Sequence, residues 1–175
     1  GYSDDMLPKK EEKKEEPQEI IPAKDEALLA PVSGKVIPLS EVRDEAFAGG
    51  ILGQGAAVIP ENGEICAPCD GVISVMYPTG HAVGIKSDIG AEILIHIGLD
   101  TVNLKGKYFK SYVTDGERVK KGALLVEFDL EAIKKEGYDL TTSVVVTNIS
   151  DYIKAVCMEK EGSEISAGEK FLTVV

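Results

Sequence analysis

The residues best suited to take part in a chemical reaction are the only two histidines of this 175-residue chain, His81 and His96. Both lie in a stretch that alternates as paired β-strands do, and Asp88-Ile89-Gly90 between them has the residue types of a tight turn. An unperturbed imidazole has a pKa of about 6.5, so its neutral, nucleophilic form dominates at physiological pH. The sequence therefore predicts a β-hairpin that carries two candidate reactive groups.

The length of the turn decides whether the two rings can meet. A two-residue loop of Asp88 and Ile89 places His81 directly opposite His96, and a four-residue loop, 88–91, makes them diagonal neighbours on one face. A three-residue loop sends them to opposite faces. In the same-face registers the Cβ atoms lie about 4.5–8 Å apart, so the two imidazoles can share one phosphoryl group or one metal ion.

The residues around the second histidine separate a core face from an exposed face. Isoleucines at positions 93, 95 and 97 alternate with Leu94, His96 and Gly98. We expect the isoleucines to fill the core and Leu94 to be an exposed apolar neighbour of His96. The alternative is that His96 is an ordinary, satisfied polar residue of a β-face.

The elements that must position these residues are short apolar runs ending at Gly or Pro, which predict an antiparallel β-sandwich or barrel. The predicted strands are 28–30, 34–39, 55–60, 63–67, 71–77, 81–86, 92–97, 124–128 and 142–148. Helices are expected only at 40–46, 129–136 and 150–157, and Ser150 is the expected N-cap of the last one.

Two short motifs occur twice. Residues 30–36 (APVSGKV) and 67–73 (APCDGVI) each read as strand, tight turn and strand. Residues 116–122 and 162–168 share Gly-x-x-[Val/Ile]-x-x-Gly ahead of an apolar strand. Together they predict an all-β fold with a duplicated, pseudo-twofold β-unit and a few short helices.

Composition divides the chain into a charged segment, 1–26, and a β-rich domain, 27–175. The segment has almost no apolar side chains between Pro8 and Pro17, so we expect a flexible linker that tethers the domain to something upstream. The net charge of −11 weighs against nucleic acid or anionic membrane as a partner and suits a basic protein better. Since the chain shows neither a membrane span nor a signal peptide, we expect a cytoplasmic location.

Cys66 and Cys69 form a C-x-x-C motif, and Cys157 is the third cysteine. A zinc site would need a second pair of ligands, and a thioredoxin-like site would need a strand-helix-strand context that the flanks lack. We expect ordinary buried or turn cysteines.

Residues 95–102 (IHIGLDTV) and 104–106 (LKG) resemble the segment around the phosphorylated histidine of the glucose-type IIA family of the phosphoenolpyruvate-dependent sugar phosphotransferase system. Residues 79–82 (TGHA) resemble the segment around that family's second active-site histidine, and 116–119 (GERV) and 126–129 (VEFD) match its closing half. The resemblance covers about residues 28–175. It implies a β-sandwich with two histidines in a shallow apolar depression, and hence a phosphoryl carrier of bacterial sugar uptake.

By that resemblance, His96 accepts a phosphoryl group on Nε2 from the general carrier HPr and passes it to a IIB domain, which phosphorylates the sugar during transport. His81 stabilises the phosphoryl group, Thr79 hydrogen-bonds His81, and Asp100 lies at the edge of the site. The attacking nitrogen must be unprotonated, so the other needs an acceptor, and the Gly98 carbonyl can supply it.

Phe47, Tyr77 and Leu94 occupy positions where the family has apolar residues around the depression, although a phenylalanine is common at the position of Tyr77. We expect these three, with Asp44 outside them, to contact the protein partners. No cofactor is expected, because phosphoryl transfer needs mainly alignment and charge stabilisation; the histidines could bind zinc adventitiously. The linker favours tethering to a IIBC membrane permease.

Two rival interpretations remain open at this point. His96 and Asp100 have the H-x-x-x-D spacing of two zinc ligands in lysostaphin-type peptidases, but no histidine follows His96 to complete such a site. The repeated motifs also resemble strands of lipoyl- or biotin-carrier domains. Those domains need a lysine at a hairpin tip, where this chain has Asp88-Ile89-Gly90.

Overall fold

The computed structural model describes residues 25–175, which consist mainly of β-strands and turns. The strands in these residues are β1 Glu26–Leu29, β2 Gly34–Pro38, β3 Gln54–Pro60, β4 Glu64–Cys66, β5 Gly71–Met76, β6 Ala82–Ser87, β7 Glu92–Ile97, β8 Phe109–Ser111, β9 Arg118–Val119, β10 Leu124–Phe128, β11 Thr142–Val146, β12 Ala155–Cys157, β13 Glu164–Ile165 and β14 Lys170–Val174. The helices are α1 Glu45–Ala48 and α2 Leu130–Lys135, with 3-10 turns at Leu39–Glu41, Thr101–Leu104 and Ile149–Asp151.

Within the described residues the strands form three sheets, and every recorded strand pair is antiparallel. The large sheet has the order β13-β2-β3-β11-β7-β6-β5-β9, and the small sheets have the orders β1-β14-β12 and β4-β10-β8. One buried cluster joins all three, with Leu28 and Leu172 from one small sheet, Leu125 from the other and Ile95 from the large sheet. This architecture confirms the predicted antiparallel all-β fold and fits a sandwich.

The sequence repeats correspond to equivalent strand pairs. β2 pairs with β13 through Gly34 and Ile165, and β5 pairs with β9 through Gly71 and Val119. The two small sheets are equivalent in the same way: β1, β14 and β12 of one correspond to β4, β10 and β8 of the other. The half from β4 to β10 is therefore inserted between β3 and β11 of the other half.

The registers locate the pseudo-twofold axis between the central strands, β11 and β7. The glycines that begin β2 and β5 face Pro60 of β3 and Ser87 of β6, which are therefore equivalent. Ala57, three positions before Pro60, faces Ser143 of β11. Gly84, three positions before Ser87, faces Leu94 of β7. Ser143 and Leu94 are thus related by the symmetry.

Three successive pairs of the β11–β7 ladder surround the axis: Ser143 opposite His96, Val144 opposite Ile95, and Val145 opposite Leu94. Because the axis exchanges Ser143 with Leu94, it also exchanges His96 with Val145. Val144 and Ile95 point into the main core, so the four outer residues share the opposite face of the sheet.

Several predicted boundaries need correction. Glu26 belongs to β1 and lies opposite Val174, so the domain begins one residue before the predicted 27; the rest of the predicted linker, up to residue 24, lies outside the described residues. The predicted helix 150–157 is wrong: a 3-10 turn there starts after Asn148, so Ser150 is not an N-cap, and β12 follows. β12 forms because it pairs with β14. Helix 40–46 is replaced by a 3-10 turn and the short α1.

Candidate functional site

His81 and His96 lie side by side, with ring centroids 5.1 Å apart and ring planes nearly perpendicular, at 82°. His96 is a half-buried residue of β7, whereas His81 directly precedes β6 and is only 4% exposed. The hairpin loop has three residues, since Ser87 N–H donates to the Ala91 carbonyl across it. The expectation that this register separates the rings is wrong.

The rings meet because His81 stands outside the regular pleat of β6. A tight turn ends just before it, where Gly80 N–H donates to the Tyr77 carbonyl at 2.8 Å. Gly80 has φ +78°, and a Cβ there would lie 2.8 Å from Cβ of Phe109. A glycine is therefore required at this turn, and the chain after it brings the His81 side chain to the face of His96.

The orientation of the His96 ring is set by Gly98. His96 Nδ1 lies 2.9 Å from the Gly98 carbonyl oxygen, and because a carbonyl only accepts, Nδ1 carries the hydrogen. In the neutral ring Nε2 then has a free lone pair. Gly98 has φ +77°, and a Cβ there would lie 2.6 Å from Cγ2 of Thr101, so only glycine fits.

The His81 ring is held by two neighbours. Thr79 Oγ1 lies 2.6 Å from His81 Nδ1. The Tyr77 ring packs edge-on, with its centroid 5.3 Å from that of His81. When Thr79 donates to Nδ1, the hydrogen of the neutral His81 ring is on Nε2, so the two histidines present complementary nitrogens: a lone pair on His96 and an N–H on His81.

Burial lowers the pKa of both rings and so favours their neutral forms. Desolvation, with a smaller contribution from His96, lowers the pKa of His81 to about 4. Desolvation also lowers the pKa of His96, against the opposing effects of the Gly98 hydrogen bond and of the Asp44 and Asp100 carboxylates. A neutral His96 with Nδ1–H engaged is a nucleophile at Nε2.

Of the apolar residues expected around the rings, Phe47 needs correction. It does contact His96, with ring centroids 5.1 Å apart, but it is 3% exposed and belongs to a small buried cluster with Leu39, Val42, Ala57 and Val145. It therefore supports the His96 ring and offers a partner almost no surface. Tyr77, 37% exposed, and the half-buried Leu94 remain accessible.

The two predicted acidic residues lie near His96 on different elements. The half-buried Asp44 is the N-cap of α1 and accepts a hydrogen bond from Ala46 N–H at 3.0 Å. Asp100 is exposed and left-handed, with φ 60°, just before the 3-10 turn Thr101–Leu104. Both contribute negative potential at the ring.

One residue of the site escaped the sequence reasoning. Ser143 lies opposite His96 on β11, is 1% exposed, and its Oγ has no hydrogen-bond partner among the described residues. The available signal was a serine that interrupts the apolar end of a strand, residues 142–146 (TSVVV).

The rival interpretations find no support. Residues 25–175 contain no cluster of three or more His, Cys, Asp or Glu side chains that could hold a metal ion. Asp88, Ile89 and Gly90 form the hairpin tip, where a carrier domain would need a lysine. The cysteines are unpaired. Burial raises the pKa of the Cys66 thiol, and it raises the pKa of the Cys69 thiol to about 12, so neither thiol is activated.

Comparison with known proteins assigns this architecture to one family. Residues 26–152 match the family model described as phosphoenolpyruvate-dependent sugar phosphotransferase system, EIIA 1. Glucose permease IIA from Mycoplasma capricolum has a similar structure, with a TM-score of 0.76 and 35% sequence identity, over 86% of this chain and 96% of that one.

Relatives of two different lengths are similar in sequence to this chain. A glucose-specific EIIA component from Halalkalibacterium halodurans is 43% identical over 151 residues, 86% of each chain. A beta-glucoside-specific EIIBCA component from the same organism is 47% identical over 147 residues, which are 84% of this chain but only 23% of that relative.

No helix within residues 25–175 is long and apolar enough to cross a membrane.

Proposed function

The chain belongs to the EIIA 1 family of the sugar phosphotransferase system, and from that premise we propose that Nε2 of His96 carries a phosphoryl group between two protein partners. The observation that carries the proposal is the pairing of the rings. His96 is fixed with Nδ1–H on Gly98, which leaves the Nε2 lone pair beside His81.

In the accepting step, the His96 Nε2 lone pair attacks the phosphorus of phosphorylated HPr. The bond from phosphorus to the donor nitrogen breaks, and its electron pair stays with the donor. Gly98 keeps its hydrogen bond to Nδ1–H throughout, so the ring holds one tautomer while the new N–P bond forms. In the donating step, a nucleophile of the IIB domain attacks the phosphorus, and the bond from phosphorus to His96 Nε2 breaks with its electron pair returning to Nε2. The IIB domain then uses the phosphoryl group for sugar phosphorylation.

His81 stabilises the phosphoryl group. When Thr79 donates a hydrogen bond to Nδ1 of His81, the Nε2–H of His81 is free to donate to the oxygens of the phosphoryl group on His96. The arriving phosphoryl group carries up to two negative charges, which favour protonation of His81 and so raise its pKa from the low value of the free protein. Two neutral rings thus avoid repelling each other before transfer, and one charged ring assists afterwards.

The partners are proposed to dock over the rings. Tyr77 and Leu94 provide accessible apolar contact, while Asp44 and Asp100 place negative charge around it. Anchors of this kind dominate affinity, and surrounding charges mainly speed encounter with a basic partner. The relatives that combine EIIA with EIIB and EIIC support a cytoplasmic domain that works beside, or tethered to, a IIBC permease through residues before β1.

The test compares the wild type with His96→Ala and His81→Gln, using phosphorylated HPr as donor and a purified IIB domain as acceptor. We expect His96→Ala to take up no label. His81→Gln should accept label but fail to pass it on, because an amide can position the phosphoryl group yet cannot supply a proton or a full charge. Label on His96→Ala would refute the nucleophile, and normal onward transfer by His81→Gln would refute the role of His81.

A further inference from the structure

Ser143 faces the proposed nucleophile from the strand on its other side. In the large sheet β7 lies between β11 and β6, so His96 has Ser143 on one flank and the chain of His81 on the other. The Ser143 hydroxyl is buried and unpaired within the described residues. A buried hydroxyl without a partner destabilises a protein, and native proteins rarely contain one without a reason.

The hydroxyls next to Ser143 in sequence are satisfied by residues just before β11. Thr142 Oγ1 donates to the Leu140 carbonyl at 2.9 Å, and Thr141 Oγ1 donates to the Asp139 carboxylate at 2.7 Å. Ser143, between Thr142 and Val144, points to the face of His96 instead.

The pseudo-twofold symmetry shows that the fold does not require a hydroxyl at this position. Ser143 is equivalent to Leu94, and His96 is equivalent to Val145, so the related pair across the axis is entirely apolar. One apolar pair and one polar pair occupy the same environment of the duplicated sheet. The polar pair is the one that contains the nucleophile.

We propose that the Ser143 hydroxyl donates a hydrogen bond to the phosphoryl group on His96, an inference that rests on the proposed function. The Nδ1–H of His96 is used by Gly98, so the acceptor on the facing ring is at Nε2. Phosphorylation places there three oxygens that share up to two negative charges, and each is a stronger acceptor than the lone pair that the group replaces. Ser143 from β11 and His81 from the β6 side then hold the phosphoryl group from two directions.

The experiment measures the equilibrium constant for transfer from phosphorylated HPr to the chain, by intact mass of both proteins at defined ratios. Ser143→Ala should lower it about tenfold, the loss expected for one hydrogen bond to a charged group. Ser143→Cys, a weaker donor of similar size, should give an intermediate value. Thr142→Val is the matched control, because it removes a buried hydroxyl from the same strand on the opposite face.

The melting temperature separates this role from a structural one. Ser143→Ala should melt no lower than the wild type, whereas Thr142→Val should melt lower and keep the wild-type equilibrium constant. Equal equilibrium constants for Ser143→Ala and wild type overturn the inference and indicate that the hydroxyl is satisfied otherwise, for example by trapped water. Failure of the wild type to accept any phosphoryl group contradicts the proposed function instead.

Discussion

Protonation of His81 should destabilise the folded protein in mildly acidic solution, and His81→Gln should remove that effect. Burial lowers the pKa of His81 to about 4, against about 6.5 in the unfolded chain. As the pH falls, the unfolded state therefore binds the proton first. Titration of His81 therefore leaves the free energy of unfolding unchanged above about pH 7 and lowers it progressively between pH 6.5 and pH 4.

The size of the loss follows from the two pKa values. Linkage gives a decrease in the free energy of unfolding of about 2 kcal/mol at pH 5 and about 3 kcal/mol at pH 4 from His81 alone. His96, whose pKa is also lowered, changes stability in the same direction. The carboxylates titrate in the wild type and in the variant alike, so the difference between the two proteins isolates His81.

Urea unfolding at pH 7.5, 6 and 5 measures this difference. The stability advantage of the wild type over His81→Gln should shrink by about 2 kcal/mol between pH 7.5 and pH 5. His96→Gln is the control: it keeps His81, and since burial is the main cause of the shift, most of the pH dependence due to His81 should persist. An advantage that stays constant over this range would mean that His81 titrates alike in both states, and would refute the argument.

Two further predictions concern residues that support His96. Phe47→Ala should lower the free energy of unfolding by about 3 kcal/mol because the ring is buried, while Phe47→Leu should retain most of the stability; denaturation at pH 7.5 measures both, and a fully stable Phe47→Ala would contradict the buried role. Gly98→Ala should slow phosphoryl acceptance about tenfold, since a Cβ 2.6 Å from Thr101 displaces the carbonyl that orients Nδ1. Gly122→Ala, with φ +87° and no atom within 4 Å of its added Cβ, isolates backbone strain and should transfer normally.

The hairpin of β6 and β7 shows which features of the site can be predicted from the local sequence pattern and which cannot. Residue types and alternation predicted the two strands, the turn and the face of His96, because each depends on neighbours in sequence. The position of His81 was out of reach of that reasoning. A regular strand from residue 81 would turn His81 away from His96 in this register. β6 begins one residue later, after a turn in which Gly80 packs against Phe109, a residue distant in sequence.

The shortest strands were missed for a related reason. β8, β9, β12 and β13 have two or three residues each, too few to show a period, and their hydrogen bonds come from strands elsewhere in the sequence. The segment of β12 is therefore predicted as a helix from its sequence, although it forms a strand. The burial of Phe47 is equally invisible in the local sequence, because its neighbours Ala57 and Val145 come from β3 and β11.

The duplication explains why the site is composite. Both histidines, with Thr79 and Tyr77, come from the inserted half, whereas Phe47 and Ser143 come from the outer half. The symmetry equivalent of His96 is Val145, and on β3 the position corresponding to His81 is Gln54, whose side chain accepts a hydrogen bond from Ala155 N–H. Only one half therefore carries the two rings, and His96 lies beside the axis.

It follows that the inserted half cannot assemble the site by itself. The β11–β7 ladder brings Ser143 opposite His96, and the small cluster around Phe47 packs against the ring only when β3 and β11 are in place. Burial is the main cause of the lowered pKa of His96, and it extends the neutral form of the ring to lower pH. The surroundings of His96 thus depend on pairing the two halves, and a chain with an open β11–β7 ladder would lose the contacts with Ser143 and Phe47.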